Sequence, residues 1–227
     1  MDSFRGVGMG KRGFTLIEMA ILLAVVGTLM LGAITAIRAQ ANKSKIEKMQ
    51  SAMQEIEQNL LGFVTINGYL PCPDINNDGN EDRPCPDPNQ FGRLPWRSLG
   101  VDPVDVWGHL YSYRVTLAFT DTITLTDVGD MTVNDGNGNL WANNLPVMVV
   151  SHGANGRGSF RLYGDGSRMG LGTLGPLEFE LDNIKNDVTD PNPDNDDPTV
   201  FYQAGDDLLL WIPSNVIFLQ AVDSNWL

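Results

Sequence analysis

Lys11-Arg12-Gly13-Phe14-Thr15-Leu16-Ile17-Glu18-Met19 opens an apolar run that continues to Ile37 with Glu18 as its one charge. As a helix this run rises roughly 36 Å at about 1.5 Å per residue, enough to cross a hydrocarbon core of about 30 Å. The expectation is a membrane-spanning segment from Phe14 to Ile37. A carboxylate near the start of such a segment calls for a cationic partner, and a neighbouring subunit is the expected source.

Ahead of the run, Arg5, Lys11 and Arg12 outweigh Asp2 and hold the N-terminus on the cytoplasmic side. A secretory signal would place its cleavage site after the apolar region, where Ala39-Gln40-Ala41 offers small residues. The Gly13-Phe14 junction, basic before and acidic shortly after, argues for a different processing site. Lys11 to Glu18 resembles the cleavage segment of type IV pilins and type II secretion pseudopilins. The resemblance implies a prepilin peptidase that cuts after Gly13 and N-methylates Phe14, and Glu18 paired with the N-terminal amine of an adjacent subunit. It also implies other pilin or pseudopilin subunits and an inner-membrane assembly platform as partners. The fold implied is α+β and pilin-like: a long N-terminal helix, membrane-spanning in its first half, packed on a mostly antiparallel sheet. The corresponding division is a leader at 1–13, a stalk helix at 14–67 and an extracytoplasmic, β-rich domain at 68–227.

Composition narrows the function classes. The formal charge of −13 repels nucleic-acid phosphates, and removal of the basic leader makes the chain more acidic still, so no nucleic-acid partner is expected. Cys72 and Cys85 are the two cysteines. With the part beyond the apolar run in the periplasm, an oxidising compartment, they are expected to form a disulfide.

Beyond the run, Ile46, Met49, Met53, Ile56, Leu60 and Phe63 recur at alternating spacings of three and four, which places them on one helix face. That stripe is expected to pack on the protein's own sheet. Asn67-Gly68 and Pro71 end the helix, because glycine supplies a left-handed turn and proline cannot continue it.

The segment richest in ligand atoms is Cys72-Pro73-Asp74-Ile75-Asn76-Asn77-Asp78-Gly79-Asn80-Glu81-Asp82-Arg83-Pro84-Cys85. Asp74, Asn76, Asp78, Gly79 and Asp82 follow the first half of an EF-hand calcium loop, while Cys85 stands where the bidentate Glu belongs. Two readings remain open: a short calcium turn, with Asn80 offering its carbonyl, or an Asx-rich turn stapled by the disulfide.

Asp105-Val106-Trp107-Gly108 followed by alternation from Leu110 to Val115 reads as a turn feeding a half-buried strand, and resembles a pseudopilin turn and strand. Thr122–Thr126, Met131–Asn134, Leu145–Val150, Ser159–Tyr163 and Leu177–Leu181 are further strand candidates. The tract 182–197, rich in Asp, Asn and Pro, reads as a surface loop. Asp206-Asp207 ahead of Trp211 resembles the closing tract of the pseudopilins, whose acid ligates calcium, so both acids are metal candidates. The segment 215–222 is an apolar strand or short helix.

No catalytic residues are expected. Ser151 and His152 lie side by side but lack a nucleophile-elbow frame, and neighbours on a strand point to opposite faces. The sequence reading is a structural subunit of a pilus or pseudopilus, of minor type because the acidic tract and disulfide loop suit a specialised subunit. The alternative is a membrane-tethered, calcium-dependent adhesin or binding module that does not polymerise.

Overall fold

A computed structural model describes residues 15–85, 92–162, 168–169, 199–203, 205–224 and 226–227; within the first helix the side chains of 29, 31–39 and 41 also lie outside the description. Two compact units divide the chain, Met1–Glu47 and Lys48–Leu227. The boundary falls inside helix α1 (Leu16–Asn67).

Thr15 and Glu18 start α1 as a capping box. The Thr15 backbone N–H and hydroxyl donate to Glu18 Oε2 at 2.9 and 2.8 Å, and the Glu18 N–H donates to Thr15 Oγ1 at 3.3 Å. The apolar side chains that follow are exposed in this chain, among them Leu16, Ile17, Ile21, Leu23 and Met30, all at 60 % or more. Among the described residues no helix is long and apolar enough to cross a membrane, which corrects the expected membrane-spanning first half of the fold. Phe14, and the side chain of Ile37, lie outside the described residues.

The second unit is α+β. Its first sheet joins β1 (Gly92–Arg93), β2 (Ser112–Val115), β5 (Val147–Ser151) and β7 (Leu208–Ile212) in the order β1-β2-β5-β7, antiparallel throughout. A second sheet has the order β4-β3-β6, from β3 (Met131–Asp135), β4 (Leu140–Leu145) and β6 (Val200–Gln203). Here β3 and β4 form an antiparallel hairpin, while β3 and β6 run parallel. Short helices α2 (Trp96–Leu99) and α3 (Ser214–Asp223) complete the unit.

The core follows from β5, which is buried along its whole length. Val147 and Val149 pack with Met49, Ile56, Leu60 and Val64 of α1 and with Tyr113 and Val115 of β2. Met148 and Val150, on the other face, pack with Met131, Val133, Leu145 and Phe201 of the second sheet. The first sheet is thus covered by helix on one side and by sheet on the other. The α1 stripe packs on its own sheet as expected, although Ile46 at its start is exposed.

Gly68, at φ 77, closes α1 and donates its N–H to Val64 O at 2.8 Å. The indole of Trp226 lies over Gly68 where a Cβ would be 2.7 Å from the ring, and Trp226 Nε1–H donates to Thr65 O at 2.9 Å.

Several local expectations change. Strand β2 is buried on both faces, because its polar face is closed by partners: Arg114 meets Asp130 and Ser112 meets His152. Residues 122–126 form no strand; a turn closes at Thr124–Asp127, where Asp127 Oδ2 accepts the Thr124 N–H at 2.7 Å. Local side-chain bonding of this kind competes with a ladder despite the threonine-rich, strand-like composition. Of the strand expected at Ser159–Tyr163 the described residues form a single bridge, Phe160 with Arg168. Strand β4 falls in a stretch with no alternating signal. The segment 215–222 forms most of α3, whose Ile217 and Ala221 are buried. Leu177–Leu181 and the tract 182–197 lie outside the described residues.

Candidate functional site

Three groups of sequence-selected residues can be placed. The first is the N-terminal segment. Gly13 and Phe14 lie outside the described residues. Glu18 is placed, and its carboxylate has a partner within its own chain, Thr15, through one oxygen. The pattern Thr-x-x-Glu is a capping box that could have been read from the sequence.

The second group is the loop closed by the Cys72–Cys85 disulfide, with the two Cα atoms 5.1 Å apart. Asp74 is fully buried and accepts the backbone N–H of Asn77 at 2.7 Å on one oxygen and that of Gly79 at 2.9 Å on the other. Burial pulls its carboxyl above the ordinary range, against those two amides and the nearby Arg93 charge. Asp82 takes the amides of Ile75 and Asn76 on Oδ2 and the Asn76 side chain on Oδ1. Asp78 Oδ1 accepts the Asn80 N–H at 2.7 Å, which holds its carboxyl below the ordinary range. Glu81 reaches back to the Tyr69 hydroxyl and the Cys72 N–H, both at 3.2 Å.

Gly79 is the point where this loop docks. At φ 85 it adopts a conformation that favours glycine, and a Cβ there would lie 2.4 Å from the Trp96 indole. Its carbonyl accepts Arg97 N–H at 2.8 Å and Ser98 N–H at 3.4 Å in the first turn of α2. The structure therefore brings Asp74, Asn76, Asp78, Asn80 and Asp82 into one loop, in which oxygens of Asp74, Asn76, Asp78 and Asp82 accept the loop's own amides. Among the described residues no three Asp, Glu, His or Cys side chains gather as a metal-ligand group. A cation taking the bonded oxygens of Asp74 and Asp82 as ligands would displace amide bonds that the Asx-rich turn makes without it.

The third group joins three distant segments around the end of β5. Asp105 is buried; its Oδ1 accepts the amides of Trp107 and His109, both at 2.9 Å, and its Oδ2 accepts the Ser151 hydroxyl at 2.7 Å. The His109 ring donates from Nδ1 to Gly153 O at 2.9 Å, since a carbonyl can only accept. Asp206 accepts the Asn155 N–H at 2.9 Å and its side-chain amide at 2.6 Å. Gly153 and Gly156 let this turn close: a Cβ on Gly153 would lie 2.2 Å from Asp206 O, and one on Gly156 2.3 Å from the His109 ring.

Asp207 is buried beside this turn, and its carbonyl accepts the Gln203 side-chain amide at 2.7 Å. Asp206 serves to fasten a turn through both of its bonds from Asn155. Asp105 and Ser151 are the residues whose role sequence reasoning missed. An Asp three residues before Gly108 was a legible Asx-turn signal, whereas the pairing with Ser151 joins residues 46 apart. Ser151 and His152 bond in separate directions, to Asp105 and to Ser112.

The chain matches no protein-family model, no curated protein and no solved structure.

Proposed function

We propose that the chain is a structural subunit of a type IV pilus or a type II secretion pseudopilus, cut after Gly13 and N-methylated at Phe14, and present as a minor component. The observation that carries this reading is the row of exposed apolar side chains from Leu16 to Val26 of α1, headed by the Lys11 to Glu18 segment. An uncovered apolar helix of this kind requires burial, and packing against the helices of neighbouring subunits supplies it. Glu18 supports the same reading: among the described residues its bonds to Thr15 run through Oε2, and a carboxylate of this kind also suits an ammonium group of an adjacent subunit. The disulfide suits a globular unit that faces an oxidising compartment outside the cytoplasm. Prepilin peptidase and an inner-membrane assembly platform are the partners this reading requires.

Peptide mass spectrometry on filaments sheared from native cells, set beside the membrane fraction, tests the proposal. A methylated peptide beginning at Phe14, present in filaments at low ratio to another pilin, is the expected result. Confinement of that peptide to the membrane fraction would select the pseudopilus. An intact leader in every fraction would overturn the processing and the subunit role together.

A further inference from the structure

The second sheet turns one face to the first sheet and the other outward. Met131 and Val133 of β3, Leu145 of β4 and Phe201 of β6 are buried on the inner face, with Ala142 packed beside them. Alternation along a strand therefore sends Thr132, Asn134, Val200 and Tyr202, all half-buried, to the outer face. The parallel register seats Thr132 beside Val200 and Asn134 beside Tyr202. Strand β4 breaks the alternation. Its pairing passes from Met131–Leu145 to Val133–Ala142 and then to Asn134–Leu140, so β4 carries one extra residue at each step. Bulges of this kind re-aim side chains. Leu140, Trp141, Asn143 and Asn144 are accordingly all exposed, while Ala142 and Leu145 stay inward. Leu140 stands opposite Asn134, and the Trp141 ring beside it is 55 % exposed.

We propose that this outer face binds a neutral glycan chain. Trp141 on β4 and Tyr202 on β6 lie two strand spacings apart, about 10 Å, with Asn134 on the strand between them. Rigid aromatic rings offer apolar area to the C–H faces of a pyranose, and side-chain amides donate and accept hydrogen bonds as sugar hydroxyls do. The side chains named on this face carry no charge, in a chain whose formal charge is −13. The one carboxylate of β3, Asp135, is turned to its own hairpin: Oδ1 accepts the Asn137 and Asn139 N–H groups, both at 2.8 Å, and Oδ2 the Asn139 side-chain amide at 2.9 Å. An anionic ligand would meet repulsion from the rest of the chain and no counter-charge here. An apolar peptide helix would need a continuous apolar strip, whereas Thr132 and Asn134 separate the aromatic strands. The proposal does not rest on assembly into a filament.

Affinity electrophoresis of the full chain, kept in solution by a detergent without a sugar headgroup, tests the face. Hydroxyethylcellulose, xylan, galactomannan and glycol chitin are the neutral probes cast in the gels, with alginate as the anionic one. Retardation in at least one neutral gel and none in alginate is expected. Trp141→Ala is expected to weaken that binding about tenfold, with thermal unfolding unchanged because the ring is exposed. Asn134→Ala is expected to weaken it severalfold, and gives an independent reading if Trp141→Ala does not fold. Leu219→Ser, which removes an exposed apolar side chain of α3, is expected to bind as the unaltered chain does. Free migration in every neutral gel, equal retardation in alginate, or retardation untouched by Trp141→Ala and Asn134→Ala would overturn the proposal. Sedimentation showing self-association that Trp141→Ala abolishes would assign the face to a second copy of the chain and equally overturn it.

Discussion

Arg114 and Asp130 meet as a two-bond pair, Nη1 to Oδ1 and Nη2 to Oδ2, each at 2.8 Å, with the arginine side chain fully buried and the aspartate side chain 38 % exposed. Thr116 adds a third bond to Oδ1 at 2.6 Å. This pair ties the polar face of β2 to the strand entry at β3. Replacing Asp130 with Ala leaves a buried guanidinium without its carboxylate and is expected to destabilise the fold by about 3 to 5 kcal/mol. Arg114→Met, which removes the charge along with the hydrogen bonds, is expected to cost less. Urea unfolding of the two variants checks both the size and the order.

The same pair sets an acid limit. Burial raises the Asp130 carboxyl, but the Arg114 and Thr116 bonds outweigh it and hold the carboxyl below its ordinary value of 3.8. A depressed carboxylate contributes stability that is present above the unfolded value and lost as pH falls through the folded one. Loss of stability below the ordinary carboxylate range is therefore expected to shrink in Asp130→Asn, read by chemical unfolding at a series of pH values.

Removal of the Cys72–Cys85 bridge, whose cysteines are 13 residues apart, is expected to lower stability by about 3 kcal/mol in the chain-entropy picture. For a unit of this size that is roughly 6 to 12 °C in Tm. Paired Cys72→Ser and Cys85→Ser substitution, followed by calorimetry, measures it.

Gly79→Ala directs a methyl group into the Trp96 indole at a backbone position that favours glycine. The expected cost is roughly 1 to 3 kcal/mol, with a change in tryptophan fluorescence as the loop lifts from α2. An unaltered spectrum and stability would mean that the loop does not rest on Trp96.

Glu18→Ala removes half of the capping box but nothing from the packed unit beyond Glu47. Thermal unfolding of the globular unit is expected to stay unchanged while incorporation into sheared filaments falls sharply. Normal incorporation would instead favour a subunit that does not need this carboxylate.

The periodic elements were the legible ones. Met49, Ile56 and Leu60 repeat at helical spacing, and their burial against Val147 and Val149 is what that pattern demands. The uninterrupted apolar run of β5 likewise marks a strand covered on both faces. Strand β2 misled because Ser112 and Arg114 look like a solvent face; their partners His152 and Asp130 lie 40 and 16 residues away, beyond the reach of local patterns. In the acidic loop the ligand-like spacing was visible, but which donors the carboxylates would find was not. The amides of Asn77 and Gly79 reach Asp74 only because the backbone turns left-handed at Asn77 and Gly79.

The clasp between Trp226 and Thr65, spanning 161 residues, also imposes an order of events. The final turn of α1 is made well before the ring that covers Gly68, which follows Thr65 by 161 residues. Contacts at such separation form late and slowly. A chain still being synthesised therefore holds the end of α1 open until Trp226 has arrived.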